Sequence, residues 1–182
     1  MPVNQTICNF GWKALEFNLI SVDEKTYSLK NIKGDNGTVI VFICNHCPYV
    51  KNIAERLSYE SKELINIGIK TVAIMSNDVV QYPEDSFENM KEFTKLYNFD
   101  FPYLFDEQQD VAKSYGAFCT PDFFGFNKFL ELQYRGRLDS GTMNTNDTKI
   151  ERELFNAMEL ISKTSKGPLK QNASIGCTIK WK

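Results

Sequence analysis

The chain has 182 residues, 42% hydrophobic, 13% aromatic and 24% charged, a composition that fits one soluble globular domain spanning residues 1–182. With 21 Lys and Arg against 23 Asp and Glu, its net charge of −2 leaves no basic surplus to neutralise a phosphate backbone, which argues against a nucleic-acid partner. The longest apolar run, Val39 to Cys44, is strand-sized, and MPVNQTICNFGWK lacks the basic start and apolar stretch of a secretory signal, so a cytoplasmic protein with no membrane partner is expected.

No internal repeat or linker divides the sequence. Leu15 to Ile20 and Thr26 to Leu29 flank the polar turn Val22-Asp23-Glu24-Lys25 and predict a hairpin inside an N-terminal extension, 1–33. Thr38-Val39-Ile40-Val41-Phe42-Ile43 is unbroken β-branched and aromatic, the pattern of a central parallel strand covered on both faces. Val50, Ile53, Ala54, Leu57 and Leu64 then recur at helical spacing up to Gly68, a residue suited to the position just past a helix end. Ile69 to Ser76 reads as a strand, and Asp85-Ser86 caps a helix with Met90, Phe93 and Tyr97 on one face. Phe101 to Phe105 is extended, and Asp106 caps a short helix running through Tyr115. Phe123 to Phe126 and Leu130, Leu132, Tyr134 predict a second hairpin. Thr148-Lys149-Ile150-Glu151 fits a capping box for a last helix that buries Ile150, Leu154, Ala157, Met158 and Ile161. The following segment, with Lys163, Lys166, Lys170, Lys180 and Lys182 and no acid, reads as a solvated tail, 164–182. The order β-β, β-α-β-α-β-α, β-β-α predicts an α/β sandwich around a mixed central sheet.

A core of this size needs no covalent staples, so the five cysteines are open to catalysis, metal binding or no special role. Cys44-Asn45-His46-Cys47-Pro48 falls where the most apolar strand meets the most regular helix, the edge at which open α/β sheets place their sites. Two thiols three residues apart in a first helical turn fall on one side of it, near enough for an intramolecular disulfide. Cys44, read as the sulfur nearest the helix start, is expected to meet the free amides and ionise, while Cys47, a turn deeper, stays a thiol. Pro48 suits a first turn, whose amides have no intrahelical partner to lose, and His46 adds a cation or hydrogen-bond donor beside the pair. Zinc needs four ligands, and no second C-x-x-C or H-x-x-H is present; Cys119 and Cys177 complete an all-cysteine site only if the fold brings them there. Pro48 after Cys47 excludes c-type haem attachment, and the non-chemical reading makes the cysteines small buried hydrophobes. No metal and no cofactor is expected.

Phe17 to Leu29, VFICNHCPYVK, SNDVVQYPEDSFENM, FPYLFDEQQDVAKSYGAFCTPDFF, YRGRLD and the ending SIGCTIKWK, in this order, carry a resemblance that covers nearly the whole chain. It resembles the alkyl-hydroperoxide-reductase/thiol-specific-antioxidant (AhpC/TSA, peroxiredoxin-like) branch of the thioredoxin-like fold, and within it bacterial thioredoxin-family proteins with a CNHC site. The resemblance implies a three-layer thioredoxin-like sandwich, a redox-active Cys44/Cys47 pair, and Thr120-Pro121 at the family's cis-proline position facing that pair. His46 is similar to the histidine in the C-x-H-C sites of strongly oxidising oxidoreductases. Cys119, beside the proline, and Cys177, in the shared ending, are candidate additional redox thiols, with packing the alternative for Cys119 and a docked structural tail the favoured one for Cys177, and Asp78, Asp85 and Asp122 are candidate proton acceptors, with capping favoured for Asp85. The peroxidatic motif P-x-x-x-T-x-x-C laid onto Cys47 needs proline where Ile40 stands and threonine where Cys44 stands. The arginine that peroxiredoxins place before the late Phe-rich strand is replaced by Thr120-Pro121, so peroxide chemistry requires Arg135 or Arg137 to reach in. The expected function is thiol-disulfide exchange on protein or small-molecule thiols and disulfides. A thiol peroxidase acting on peroxides and a non-enzymatic redox-sensing or zinc-binding module are the alternatives. With a partner already three residues from Cys44, Cys177 is expected to be dispensable for a first turnover.

Overall fold

In the computed structural model, which describes residues 2–4, 8–144 and 149–182, the chain opens with β1 (Pro2–Asn4), β2 (Asn18–Ser21), β3 (Thr26–Ser28) and the short α1 (Leu29–Ile32). A crossover series follows: β4 (Gly37–Phe42), α2 (Pro48–Ile65), β5 (Ile69–Met75), α3 (Phe87–Leu96), β6 (Tyr103–Phe105) and α4 (Asp110–Tyr115). The chain ends with β7 (Cys119–Thr120), β8 (Asp122–Asn127), β9 (Leu132–Gly136), α5 (Glu153–Thr164) and β10 (Ile175–Thr178). Seven strands form one mixed sheet in the order β3-β2-β6-β5-β4-β8-β9, with β4 parallel to β5 and antiparallel to β8.

The uninterrupted apolar run of β4 has a direct structural cause. Its side chains alternate between two cores, Val39, Val41 and Ile43 on one face and Ile40 and Phe42 on the other, so neither face of the strand meets water. Val50, Leu57, Met90, Leu154 and Met158 from α2, α3 and α5 cover the first face. Leu29, Ile32, Ala112 and Tyr115 from α1 and α4 cover the second. The result is the expected three-layer thioredoxin-like α/β sandwich. Gly68, shortly after α2, has φ +77, a left-handed conformation that favours glycine. Among the described residues no helix is long and apolar enough to cross a membrane.

Three expectations are corrected. The last helix begins at Glu153 with Arg152 at its N-cap, not at the Thr148 capping box; Thr148 itself lies outside the described residues. The end of the chain is not a solvated tail: β10 joins β1 and β7 in a second, three-stranded sheet, with Cys177 opposite Thr120 and Thr178 opposite Cys119. Ser174 and Ile179 are buried, and the backbone is clamped by Asp78 N–H donating to Lys180 O (2.8 Å) and Ile179 N–H to Phe118 O (2.8 Å). Finally, Ser86 alone caps α3, accepting from Asn89 N–H at 3.3 Å, which leaves Asp85 for another task. Asp106 does act as expected, accepting from Val111 and Ala112 N–H in the first turn of α4.

Candidate active site

At the carboxyl end of β4 the chain makes a five-residue loop, Ile43-Cys44-Asn45-His46-Cys47, before α2. Helical geometry starts at Pro48, so Cys47 is the N-cap and Pro48 occupies the first helical position. The helix start thus lies one turn later than expected, and the sulfur at the amide-rich end of α2 belongs to Cys47.

Both sulfurs are buried, Cys44 at 1% and Cys47 at 0% exposure. Thr120, the residue before the cis peptide to Pro121, bridges them: its Oγ1 is 3.4 Å from Cys44 Sγ and its carbonyl oxygen 3.3 Å from Cys47 Sγ. The cis Thr120-Pro121 bond therefore faces the pair as the resemblance implied. The Cys44 S–H donates to Cys47, and with the N–H of Val50, the Thr120 hydroxyl and the N–H of Cys177 it holds Cys47 down to about 5 against the opposing effect of burial. Cys44 is pushed well above an ordinary thiol by that same hydrogen bond to Cys47, by burial and by the nearby Asp85 carboxylate. Position and these directions run against the expected assignment: Cys47, at the helix N-cap, is the sulfur drawn toward the thiolate and Cys44 the one held as a thiol, and the two titrate as a unit.

The loop is shaped by Asp85, fully buried, at the end of a 3-10 turn over Pro83–Asp85. Its Oδ1 accepts from Asn45 N–H (2.8 Å) and His46 N–H (3.1 Å), and its Oδ2 from Asn77 Nδ2 (2.8 Å). Oδ2 also lies 2.6 Å from His46 Nδ1, which must carry the proton because a carboxylate only accepts. Asn45 is fixed in turn, donating from Nδ2 to Glu84 O (3.1 Å) and accepting from the Tyr103 hydroxyl (3.0 Å). His46 accordingly spends its Nδ1–H on Asp85 rather than on a thiol, and that nitrogen stands 3.9 Å from Cys44 Sγ. The His46 ring stacks on Tyr82 with centroids 5.5 Å apart.

Cys44, His46 and Asp85 are the described residues whose ligand atoms lie closest to a metal arrangement, all within 4.8 Å. The 2.6 Å between His46 Nδ1 and Asp85 Oδ2 is a hydrogen-bond distance, shorter than the about 3.3 Å that separates two ligands of one tetrahedral zinc. The donor set is closed on itself by hydrogen bonds and does not fit an ion between its members.

The remaining candidates divide into near and far. Cys177 comes towards the pair: β10 sets it opposite Thr120, whose carbonyl oxygen contacts Cys47 Sγ, and its thiol and N–H bear on the Cys47 charge. Cys119 is buried behind Thr120 with its Sγ 3.7 Å from Pro121 O, and burial drives its thiol far up, which fits packing. Cys8 lies on the opposite face of the sheet near Arg135 and Gln171, and burial raises it to about 11. Asp78 is used by the loop after β5, where Oδ1 accepts from Val80 N–H. Asp122 and Arg135 pair at 3.0 Å, and Arg135 also donates to Gly116 O, while Arg137 is held by both oxygens of Glu153. Beside Pro121 a cavity of about 290 Å³ opens between Tyr49, Ile53, Leu138 and Ile175. The role of Asp85 was hidden in the sequence because its partners lie 8 and about 40 residues away. The helix start was legible, since proline at a first helical position makes the preceding residue the N-cap.

Comparison with known proteins bears on the family and the fold. The sequence matches the AhpC/TSA family over residues 10–138. The fold is similar to an uncharacterized conserved protein from Geobacillus kaustophilus, 42% identical, covering 100% of this chain and 97% of that one with a TM-score of 0.95. It is also similar to a hypothetical protein from Sinorhizobium meliloti, 34% identical, covering 98% and 97% with a TM-score of 0.91. A thioredoxin domain of a thiol-disulfide oxidoreductase from Bacteroides vulgatus shares the fold at 13% identity, covering 72% and 89% with a TM-score of 0.60. No curated protein matches the chain in sequence.

Proposed function

This chain belongs to the AhpC/TSA family, and we propose that within it the protein is a thiol-disulfide oxidoreductase that works through the Cys44/Cys47 pair. The observation that carries the reading is two buried thiols three residues apart at a helix N-terminus, with Thr120 of the cis Thr120-Pro121 step against both sulfurs. Cys47 thiolate attacks one sulfur of a substrate disulfide, and the other sulfur leaves as a thiolate that takes the Cys44 proton. Cys44 thiolate then attacks Cys47 Sγ, the mixed disulfide breaks, and the second substrate thiolate departs. The substrate has gained two electrons and the pair has become a disulfide. The cavity beside Pro121, lined by Tyr49, Ile53 and Ile175, suits the apolar flank of a protein or small-molecule disulfide.

Peroxide could be attacked by the same thiolate, but the departing oxygen needs a cationic or hydrogen-bonding partner. Arg135 is engaged by Asp122 and Gly116, and Arg137 by Glu153, so disulfide exchange is the reading the site favours.

The test follows from the ionisation. At about pH 6, iodoacetamide should label Cys47 before Cys44 in the reduced protein, and labelling should fall off as pH drops through about 5. The wild type should reduce a protein disulfide in a single turnover far faster than it reacts with hydrogen peroxide, and Cys47→Ser should lose that reaction at least about 100-fold. Cys44 labelled first, or peroxide consumed faster than disulfide, would overturn the assignment.

A further inference from the structure

The active pair is closed to solvent, which raises the question of how its disulfide is returned to the dithiol state. Neither sulfur is more than 1% exposed. Cys177, in contrast, is partly exposed, and it is the third thiol in reach of Cys47. Its position is built by the chain. Cys177 pairs with Thr120, the residue that touches both sulfurs of the pair, so the strand places its N–H and its thiol on the Cys47 side of the site. The preceding residue is Gly176, where a Cβ would stand 2.0 Å from Thr120 O, so β10 lies against the cis-proline step more closely than any side chain permits. Downstream, Lys180 fixes the strand at both ends of its peptide unit: Lys180 N–H donates to Asn77 Oδ1 (2.9 Å), and Lys180 O accepts from Gln109 Nε2 (2.8 Å). Cys47, against the Thr120 carbonyl, is consequently flanked by Cys44 in its own loop and by Cys177 on the strand paired with Thr120.

We propose that Cys177 is a third redox thiol that takes over the disulfide from Cys44, moving it to Cys47–Cys177, where a small thiol from solvent can reduce it. The inference rests on the oxidoreductase reading above. Cys177 attacks Cys47 Sγ of the Cys44–Cys47 disulfide, the Cys47–Cys177 bond forms, and Cys44 leaves as a thiolate that takes the proton Cys177 gives up. The exchange is neutral in electrons. A small-molecule thiol then attacks Cys177 Sγ, freeing Cys47 thiolate, and a second such thiol releases the first as a small-molecule disulfide, so the two electrons come from that thiol pair. In a chain lacking Cys44, the same geometry makes Cys177 the resolving thiol for any mixed disulfide on Cys47.

Glutathione disulfide is the probe. Cys44→Ala protein treated with it should end with a Cys47–Cys177 bond and no bound glutathione, whereas Cys44→Ala/Cys177→Ala protein should retain glutathione on Cys47, both read by intact mass and peptide mapping. In the wild-type chain, partial oxidation should yield a Cys47–Cys177 cross-linked peptide alongside Cys44–Cys47. Glutathione retained equally in the single and double variants, or no Cys47–Cys177 peptide from the wild type, overturns the relay and leaves the oxidoreductase reading standing. A wild-type protein that does not react with glutathione disulfide while reducing a protein disulfide also overturns the relay; one that reacts with neither overturns both.

Discussion

Asp85 is a single buried carboxylate holding the Cys44–Cys47 loop from beneath. It satisfies the N–H groups of Asn45 and His46, the Asn77 amide and the His46 ring, and its charge is one of the causes that keep the Cys44 thiol protonated. Charge and shape are separable here, because Asn can still accept from the two backbone N–H groups through its oxygen but carries no negative charge. Asp85→Asn should cost about 1–3 kcal/mol of stability through the weakened His46 and Asn77 bonds. It should also bring the Cys44 thiol down towards the ordinary range, since the repulsion from a buried neighbouring anion is gone. Ultraviolet thiolate titration of Cys47→Ser protein with and without Asp85→Asn separates the two effects. A melting shift with no movement of the Cys44 titration would reduce Asp85 to a structural role. The start of α2 lies one turn beyond Cys44, which puts Cys47 rather than Cys44 at its N-cap, and the proline at position 48 was the sequence signal for that boundary.

At the scale of elements, the sequence was most legible where a segment is long and its periodicity strong. β4 and α2 follow their hydrophobic spacing because each buries a full face, and the Cys44–Cys47 loop between them is located by their ends. The small sheet was not legible. Its strands span two to four residues, pair across most of the chain, and bury too few side chains to impose an alternating pattern. The same shortness makes it sensitive to one residue. Gly176→Ala inserts a Cβ against the Thr120 backbone carbonyl, so β10 must move away rather than the side chain rotate. Overpacking of this kind costs about 1–3 kcal/mol, read as a lower denaturant midpoint. If β10 positions Cys177 as described, the yield of the Cys47–Cys177 bond should fall in the same variant while the Cys44–Cys47 bond still forms. Unchanged stability would mean that the close approach of Gly176 to Thr120 is not constrained.

Across the whole molecule the sheet separates two charged centres with different tasks. The thiols and Asp85 sit with the core under α2 and α3, while Arg135 lies over the Phe124 ring, 4.4 Å from its centroid, in the core of the opposite face. Asp122 at the start of β8 pairs with that arginine, and one of its oxygens, Oδ1, has no hydrogen-bond partner among the described residues. Burial raises Asp122 from 3.8 to about 7, with the Arg135 charge and hydrogen bond opposing the rise. A carboxyl whose folded value lies above its unfolded value favours the native state most when both states are protonated. That contribution is complete below about pH 4 and is lost as pH rises to about 7. Asp122→Asn removes the titration while keeping the shape, so the stability of wild type minus that of the variant should fall across this window, by on the order of a few kcal/mol. Denaturant unfolding of both proteins at a series of pH values between about 4 and 7 measures the difference directly, and other titrating groups cancel in it. A difference that stays flat, or rises with pH, would mean that Arg135 holds Asp122 ionised throughout and that the buried pair, not the burial of the acid, dominates this face of the sheet.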